Sequence, residues 1–190
     1  MNLRLFIAVA VPEEIRFKIR EMVDLIRPLF RGRGDIRWVA EENWHFTVSF
    51  LGSEPESAVP LIKAAMAEIV RPGGFRIDFD RLVYGPFGQR FNDVRRTIWL
   101  TGTVETSGWL GKIKQFLDDN LKNKGVRWQE HRGVYFSHLT LARFGGTSLG
   151  NLPPIEQKLD WHYEAQGLDL VESHLRPAGA VYDKLFGVDF

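Results

Sequence analysis

Cysteine is absent from this chain of 190 residues. Its absence excludes disulfide bonds, thiolate chemistry and zinc sites built from cysteine, and it fits a reducing cytoplasm. No apolar run approaches the ~20 residues that a membrane-spanning helix needs. The chain enters a strand pattern at once, without the charged and then apolar leader of a signal peptide. We therefore expect a cytoplasmic protein without a membrane partner.

The chain also has almost no net charge, because its 25 Lys and Arg nearly balance its 24 Asp and Glu and leave a net charge of +1. This balance excludes a general binder of polyanions, so any contact with nucleic acid has to come from a local basic patch. Hydrophobic residues make up 44% of the chain, which is enough at this length for a substantial core. We predict one compact domain or two tightly joined lobes.

The stretch 44–52 (WHFTVSFLG) alternates polar and apolar residues in the way that is typical of a half-buried strand. With a period of two, Ser49 lies on the same face as His45 and Thr47, whereas Phe50 lies on the opposite face. A histidine and a threonine side by side could line a groove that is floored by a sheet. A single strand histidine is nevertheless more often exposed or structurally hydrogen-bonded than catalytic.

A second copy of the pattern strengthens the catalytic interpretation. In the stretch 137–144 (SHLTLARF), His138 and Thr140 again share one face. The two histidines are 93 residues apart (138 − 45), close to half of the chain. We predict two similar halves, 1–90 and 91–190, each of which contributes one His-x-Thr to a shared groove.

The periodicity of the other residues predicts the elements around the two motifs. Helices are expected over 13–30, 55–70 and 106–124, with a short one ending near 159. Strands are expected over 3–11, 36–39, 75–84, 97–104, 163–172 and 179–186. The segment 85–96 is predicted to be a loop between the halves, with Arg90, Arg95 and Arg96 available to solvent or to phosphate.

Two histidines across one groove suit paired acid–base chemistry, because imidazole titrates near neutral pH. One can take a proton from a nucleophile while the other gives a proton to a leaving group. Each threonine hydroxyl could donate a hydrogen bond to a phosphate oxygen, and arginine or aromatic neighbours could bind charge and base. Phosphodiester cleavage is the reaction that fits these groups best.

A metal site is the main chemical alternative. Zinc takes three or four ligands, often from closely spaced motifs, and His131, His162 and His174 have no such spacing with the pair. We expect these three histidines to form ordinary surface or core hydrogen bonds, and we predict neither a metal nor a cofactor.

Several segments carry a family resemblance over almost the whole chain: 4–9 (RLFIAV), 37–47 (RWVAEENWHFT), 50–52 (FLG), 137–143 (SHLTLAR) and 170–173 (LVES). In these segments the chain resembles the 2H phosphoesterase superfamily, and within it the bacterial and archaeal RNA 2′,3′-cyclic phosphodiesterases, also called 2′-5′ RNA ligases. The family commonly has proline where this chain has Ser137, and often leucine where it has Phe46. Neither departure changes a residue of the proposed acid–base chemistry.

The resemblance implies a bilobal α+β fold, in which two pseudo-symmetric lobes with antiparallel sheets surround a central cleft and the helices lie outside. It also implies hydrolysis of a terminal 2′,3′-cyclic phosphate on RNA, tRNA fragments among the substrates, to a 2′-phosphomonoester. Reversible 2′-5′ ligation by the same groups is a further implied activity. We expect the protein to act as a monomer.

The resemblance assigns roles to individual residues. It makes His45 the proton donor and His138 the proton acceptor that activates water, while Thr47 and Thr140 hold the phosphate oxygens. Arg143 joins them in the family, although on an ideal strand it lies on the apolar face and needs a bend to reach the groove.

Three aromatic residues, Trp38, Phe6 and Trp44, are candidates for base stacking, with core packing as the alternative. Two other functions stay open, a 2H phosphodiesterase for a small cyclic nucleotide and a non-catalytic RNA-binding module. An open basic cleft would favour RNA and a deep closed cleft the small nucleotide. Two intact His-x-Thr motifs argue against the binding module.

Overall fold

A computed structural model of the chain describes residues 1–69, 74–86, 93–129, 133–176 and 179–190. Within these ranges there are three α-helices, α1 (Glu13–Ile26), α2 (Val59–Ala67) and α3 (Val104–Asn123). None of them is both long and apolar enough to cross a bilayer. α1 continues as a 3-10 turn to Phe30, so its apolar spacing predicted the whole helical segment.

The first sheet is antiparallel and has four strands. Their bounds are β1 (Asn2–Ala10), β3 (His45–Pro55), β9 (Gly167–Arg176) and β10 (Gly179–Asp189). The order is β10-β9-β1-β3, which puts β1 in the interior of the sheet. The nearly continuous apolar run of β1 predicts this interior position, because such a strand is covered on both faces.

The second sheet is also antiparallel and carries the other histidine. Its strands are β2 (Arg37–Trp38), β4 (Phe75–Gly85), β5 (Val94–Gly102), β6 (His138–Ser148) and β7 (Gln157–Lys158). They run in the order β2-β6-β5-β4-β7, and a further strand, β8 (His162–Ala165), pairs with the other end of β4.

Each sheet combines strands from both halves of the sequence. The last two strands, β9 and β10, complete the sheet of β1 and β3, whereas β2 and β4 from the first half join β5 and β6. The predicted halves 1–90 and 91–190 therefore do not coincide with the two sheets. Backbone hydrogen bonding requires only that an interior strand has a neighbour on each side, and it does not restrict where in the chain that neighbour lies.

One hydrophobic core joins the two sheets. On the inner face of β3, Phe46 is fully buried, and its ring centroid lies 5.4 Å from that of Phe79 on β4 of the other sheet. On β6, Leu139 and Leu141 are equally buried within the same cluster. Because this face of both motif strands is filled with apolar side chains, their polar side chains lie on the opposite face. The observed fold is α+β, as predicted.

The structure corrects two of the predicted loops and helices. The short helix predicted to end near 159 is absent, because residues 154–159 contain no helix and Gln157 and Lys158 form the edge strand β7. The loop predicted over 85–96 is shorter, because β5 begins at Val94 and contains Arg95 and Arg96. Arg90 lies outside the described residues.

Two predicted boundaries also differ. The strand expected over 163–172 is two strands, β8 and β9, which are separated at Gln166. α3 begins at Val104 because Thr103 is its N-cap, and the Thr103 hydroxyl accepts a hydrogen bond from the Thr106 backbone N–H at 3.2 Å. The helix therefore begins two residues before the predicted start at 106.

Candidate active site

Four contacts fix the imidazole ring of the half-buried His45. Its Nδ1 lies 2.7 Å from the carbonyl oxygen of Asn43, and its Nε2 lies 3.0 Å from the Thr47 hydroxyl oxygen. Because a carbonyl oxygen can only accept, Nδ1 carries the proton, and in the neutral ring Nε2 accepts from Thr47. The ring also stacks on Phe6 at a centroid distance of 4.8 Å and meets Tyr182 edge-on at 5.4 Å. These contacts set both the tautomer and the orientation of the imidazole.

His138 has the same arrangement in the second sheet. Its Nδ1 lies 3.0 Å from the carbonyl oxygen of Phe136, again two residues earlier, and its ring packs on Trp99 at a centroid distance of 4.2 Å. Within the described part of the chain, neither Nε2 of His138 nor the Thr140 hydroxyl has a hydrogen-bond partner. The second motif therefore leaves a lone pair on Nε2 and a free hydroxyl available to a ligand.

A β-bulge brings Arg143 to the face of His138. In β6, Thr140 and Ala142 pair with consecutive residues of β5, which leaves Leu141 as an extra residue. Leu141 and Ala142 are both buried, whereas Arg143 is exposed. The alternation therefore restarts one residue later, and the bulge supplies the bend that the sequence analysis required for Arg143.

The first motif has the matching bulge, and it overturns two predicted orientations. In β3, Val48 is the extra residue between Thr47 and Ser49, which pair with consecutive residues of β1. As a result Ser49 is buried, with its hydroxyl donating to Asp118 at 3.2 Å, and Phe50 is 46% exposed. Ser49 is therefore a core residue, and Phe50 lies on the groove face, the reverse of the simple alternation.

Burial and the charge of Arg143 lower the pKa of both motif histidines. Burial, with smaller contributions from the charges of Arg143 and His138, lowers the pKa of His45 to about 4, although its hydrogen bond to Asn43 opposes the shift. Burial is also the main cause that lowers the pKa of His138, and Arg143 again contributes. Both imidazoles are therefore neutral at pH 7 in the free protein. The charge of Arg143 contributes to the lowered pKa of both rings, so all three side chains lie near one another.

Two tyrosines, the half-buried Tyr135 and the buried Tyr163, donate hydrogen bonds across the sheets to backbone near the first motif. The Tyr135 hydroxyl, three residues before the second histidine, donates to the Thr47 carbonyl oxygen at 2.6 Å. The Tyr163 hydroxyl of β8 donates at 3.2 Å to the carbonyl oxygen of Ala10, which is the partner of His45 in the sheet. Burial raises the pKa of both phenols, so both remain donors at neutral pH. The sequence analysis missed these tyrosines, because nothing in the local pattern relates them to the first motif.

The three predicted base-stacking residues are buried or half-buried, and Phe6 lies under the His45 ring. Phe6 and Trp44 are only 3% and 4% exposed, in agreement with the packing alternative. Trp38 pairs with the buried Ala142 and packs edge-on against Phe30 at 5.8 Å. Trp38 is half-buried there, and its role in base stacking stays a prediction.

The remaining histidines lie apart from the pair. His174 contacts Asp183 at 2.9 Å, as expected of a surface histidine, and His162 is exposed on β8. His131 lies outside the described residues. In the described ranges no group of three or more His, Asp and Glu side chains is placed to hold a metal ion.

A two-sheet α+β fold with one His-x-Thr pair on each sheet is the arrangement of a 2H phosphoesterase. The family model of LigT-like phosphoesterases matches residues 9–89. A Thermus thermophilus relative named RNA 2′,3′-cyclic phosphodiesterase is 31% identical over 189 residues, covering 96% of this chain and 88% of the relative. A Thermotoga maritima relative of the same name is 29% identical, covering 99% and 96%. The chain belongs to the LigT-like phosphoesterases.

Solved structures agree with this assignment at the level of the fold. The crystal structure of a Thermus thermophilus protein superposes with a TM-score of 0.80 at 27% identity, covering 98% of this chain and 97% of the other. Escherichia coli LigT, crystallised with 3′-AMP, superposes with a TM-score of 0.76 at 24% identity, covering 100% and 98%. The bilobal α+β fold that the sequence resemblance implied is confirmed.

Proposed function

We propose that this phosphoesterase hydrolyses the terminal 2′,3′-cyclic phosphodiester of RNA to a 2′-phosphomonoester, with two histidines as general acid and base. One observation carries the proposal: in both motifs Nδ1 donates to the carbonyl two residues earlier. Each Nε2 is thereby left as the atom that exchanges protons with a ligand, and Arg143 acts on both rings. The names of the relatives support the choice of a 2′,3′-cyclic phosphate on RNA as substrate.

His138 is the base in this proposal. Its Nε2 lone pair has no protein partner among the described residues, so it can accept a proton from water as the water oxygen bonds to phosphorus. The bond from phosphorus to the 3′-oxygen then breaks, and the departing oxygen takes the proton of Nε2 of His45. The phosphate stays on the 2′-oxygen, His138 releases its added proton to solvent, and His45 is left neutral, as it is in the free protein.

His45 has to be charged to act as the acid, although its pKa is about 4 in the free protein. A bound cyclic phosphodiester brings one negative charge next to Arg143 and to the ring. That charge favours the imidazolium form and offsets the effect of Arg143. We therefore infer that substrate binding draws a proton to His45 and prepares the acid only when there is a leaving group to protonate.

The threonines would hold the phosphate. The Thr140 hydroxyl is free to donate to a non-bridging oxygen. The Thr47 hydroxyl donates to Nε2 of His45 in the neutral state. Once Nε2 is protonated it becomes a donor, and the Thr47 hydroxyl is released to donate to the phosphate. Protonation of the acid and capture of the phosphate are thus coupled in the first motif.

The same groups would serve ligation. A 5′-hydroxyl in place of water would attack the cyclic phosphate and leave a 2′-5′ linkage. RNA fragments, including those of tRNA, and a monomeric enzyme remain our expectations for the substrate and the assembly. Size-exclusion chromatography with light scattering measures the oligomeric state directly.

The test is hydrolysis of a short RNA that ends in a 2′,3′-cyclic phosphate, in EDTA, with the position of the product phosphate assigned. The variants are His45→Ala and His138→Ala, and the control is His162→Ala, which removes an exposed histidine away from the site. We expect an EDTA-resistant 2′-phosphate product that both site variants lose and the control retains. An inactive wild type, or a near-full rate in either site variant, would contradict the proposal.

A further inference from the structure

We propose that Arg37 binds the phosphate on the 5′ side of the terminal nucleotide, and that it thereby makes the site selective for an RNA end over a free cyclic mononucleotide. This inference rests on the proposed function and names the substrate class of the same site.

Arg37 lies directly opposite Arg143 on neighbouring antiparallel strands. Residues that are directly opposite share one face of a sheet, with Cα atoms about 4.5–5.5 Å apart. The bulge has placed Arg143 on the groove face, so Arg37 is on that face too. The following residue, Trp38, faces the core, as the alternation along β2 requires.

The two guanidinium groups form an unneutralised pair. Both arginines are exposed, and neither has a carboxylate partner within the described residues. Two arginines of the first half are by contrast paired, Arg33 with Asp35 at 2.9 Å and Arg20 with Glu41. Like charges directly opposite each other destabilise a sheet unless something offsets them. An anion shared by the pair, or one anion bound to each, would remove that cost.

This pair is the local basic patch that a nucleic-acid ligand requires in a protein with a net charge of only +1. Guanidinium groups suit phosphate because they bind it through two parallel hydrogen bonds. Phosphodiester groups along an RNA strand present a series of such anions. Two neighbouring arginines can therefore bind two successive phosphates of a strand, whereas a small ligand with one phosphate occupies only one of them.

The two phosphates can be assigned to the two arginines. Arg143 acts electrostatically on both histidines, so it belongs with the cyclic phosphate that reacts. Arg37 is on β2, the edge strand of the second sheet, one strand further out than Arg143. The next phosphate of an RNA chain leaving the site over this edge would meet Arg37. A cyclic mononucleotide without a 5′-phosphate has no charge to place there.

The experiment compares two substrates, a dinucleotide that ends in a 2′,3′-cyclic phosphate and the matching nucleoside 2′,3′-cyclic phosphate. The variants are Arg37→Gln and Arg37→Lys. The control is Lys18→Ala, which removes one positive charge from the exposed face of α1, opposite its buried residues. Rates are measured over a range of salt concentrations.

For Arg37→Gln we expect KM for the dinucleotide to rise roughly tenfold, as for the loss of a charge-assisted hydrogen-bonded contact, with kcat unchanged. The cyclic mononucleotide should change by less than about twofold, which also shows that the variant is folded. The slope of log(kcat/KM) against log salt for the dinucleotide should fall by about 0.7, the value for one phosphate of a single strand. Arg37→Lys should recover part of the affinity, and Lys18→Ala should match the wild type.

Equal losses on both substrates would mean that Arg37 acts at the cyclic phosphate itself, and no loss on either would mean that it binds no phosphate; each result overturns the inference. A wild type that hydrolyses neither substrate would contradict the proposed function instead, and the inference with it. The two failures are therefore distinguishable in one experiment.

Discussion

Replacing Tyr135 with Phe removes a single hydroxyl that links the two motif strands. Tyr135 lies three residues before the second motif histidine, and its hydroxyl donates to the Thr47 carbonyl oxygen at 2.6 Å. The substitution keeps the ring and its packing, so the only loss is one part-buried hydrogen bond. We expect it to lower both the stability of the fold and the rate of the reaction.

The expected loss of stability is that of one part-buried hydrogen bond. A typical intramolecular hydrogen bond contributes about 0.5–1.5 kcal/mol to the free energy of unfolding. The expected loss of rate has a separate origin, because Thr47 and the adjacent first histidine are no longer held at a fixed spacing from the second histidine. Misplacement of catalytic groups by about 1 Å can cost 10²-fold in rate, so we expect kcat to fall by roughly tenfold for a partial relaxation.

The chain offers a matched control in Tyr84→Phe. The Tyr84 hydroxyl donates to the Pro153 carbonyl oxygen at 2.7 Å in a bond that is also part-buried, and the Tyr84 side chain lies in the core, but this bond touches neither motif. Chemical denaturation should show similar losses of stability for the two variants. Only Tyr135→Phe should lower kcat on an RNA with a 2′,3′-cyclic end.

A Tyr135→Phe variant that is destabilised but keeps the wild-type kcat would refute the positioning role and leave the tyrosine a purely structural one. The same conclusion follows if Tyr84→Phe lowers kcat as much, since a general loss of stability would then explain both. A kcat loss without any loss of stability would also contradict the account, because both effects are derived from one part-buried bond.

Three further predictions concern the charges and packing of the site. Arg143→Gln should raise the pKa of both motif histidines, measured by NMR titration of the imidazole protons, because their lowered values include its charge; unchanged values would place it elsewhere. The pKa of His45 is about 4 in the folded protein and 6.5 in the unfolded chain, so the fold has its full stability from this group above pH 6.5 and loses it as the pH falls towards 4. His45→Asn removes this titration, and the denaturation midpoint of the variant should therefore change less with pH over that window. Gly85→Ala should abolish most activity, since its Cβ would overlap the Trp99 ring that supports the second histidine, whereas Gly108→Ala, which meets open space, should retain it.

The local patterns that the sequence carries explain why the motif strands were found. A period of two places His45 with Thr47 and His138 with Thr140 regardless of which strands lie beside them. The apolar spacing of α1 and the continuous apolar run of β1 are equally local. Each of these features is a property of a few consecutive residues.

The bulges show where a local rule fails and what signal was present. In the second motif two apolar residues, Leu141 and Ala142, follow each other where strict alternation requires a polar one. That break in the pattern marked the extra residue, and it decides that Arg143 reaches the groove. In the first motif Val48 and Ser49 gave no such signal, because serine at the buried position depends on a partner from α3.

The sequence by itself determined the strands that carry the histidines and the chemistry those histidines can perform, because both follow from residue types and short-range spacing, and its family resemblance implied the fold class. Only the tertiary structure decided which strands complete each sheet, which carbonyls Tyr135 and Tyr163 reach, and that Arg37 lies beside Arg143. These are contacts between residues as much as 153 positions apart. They are set by the packing of one shared core and by strand register, which no short stretch of sequence encodes.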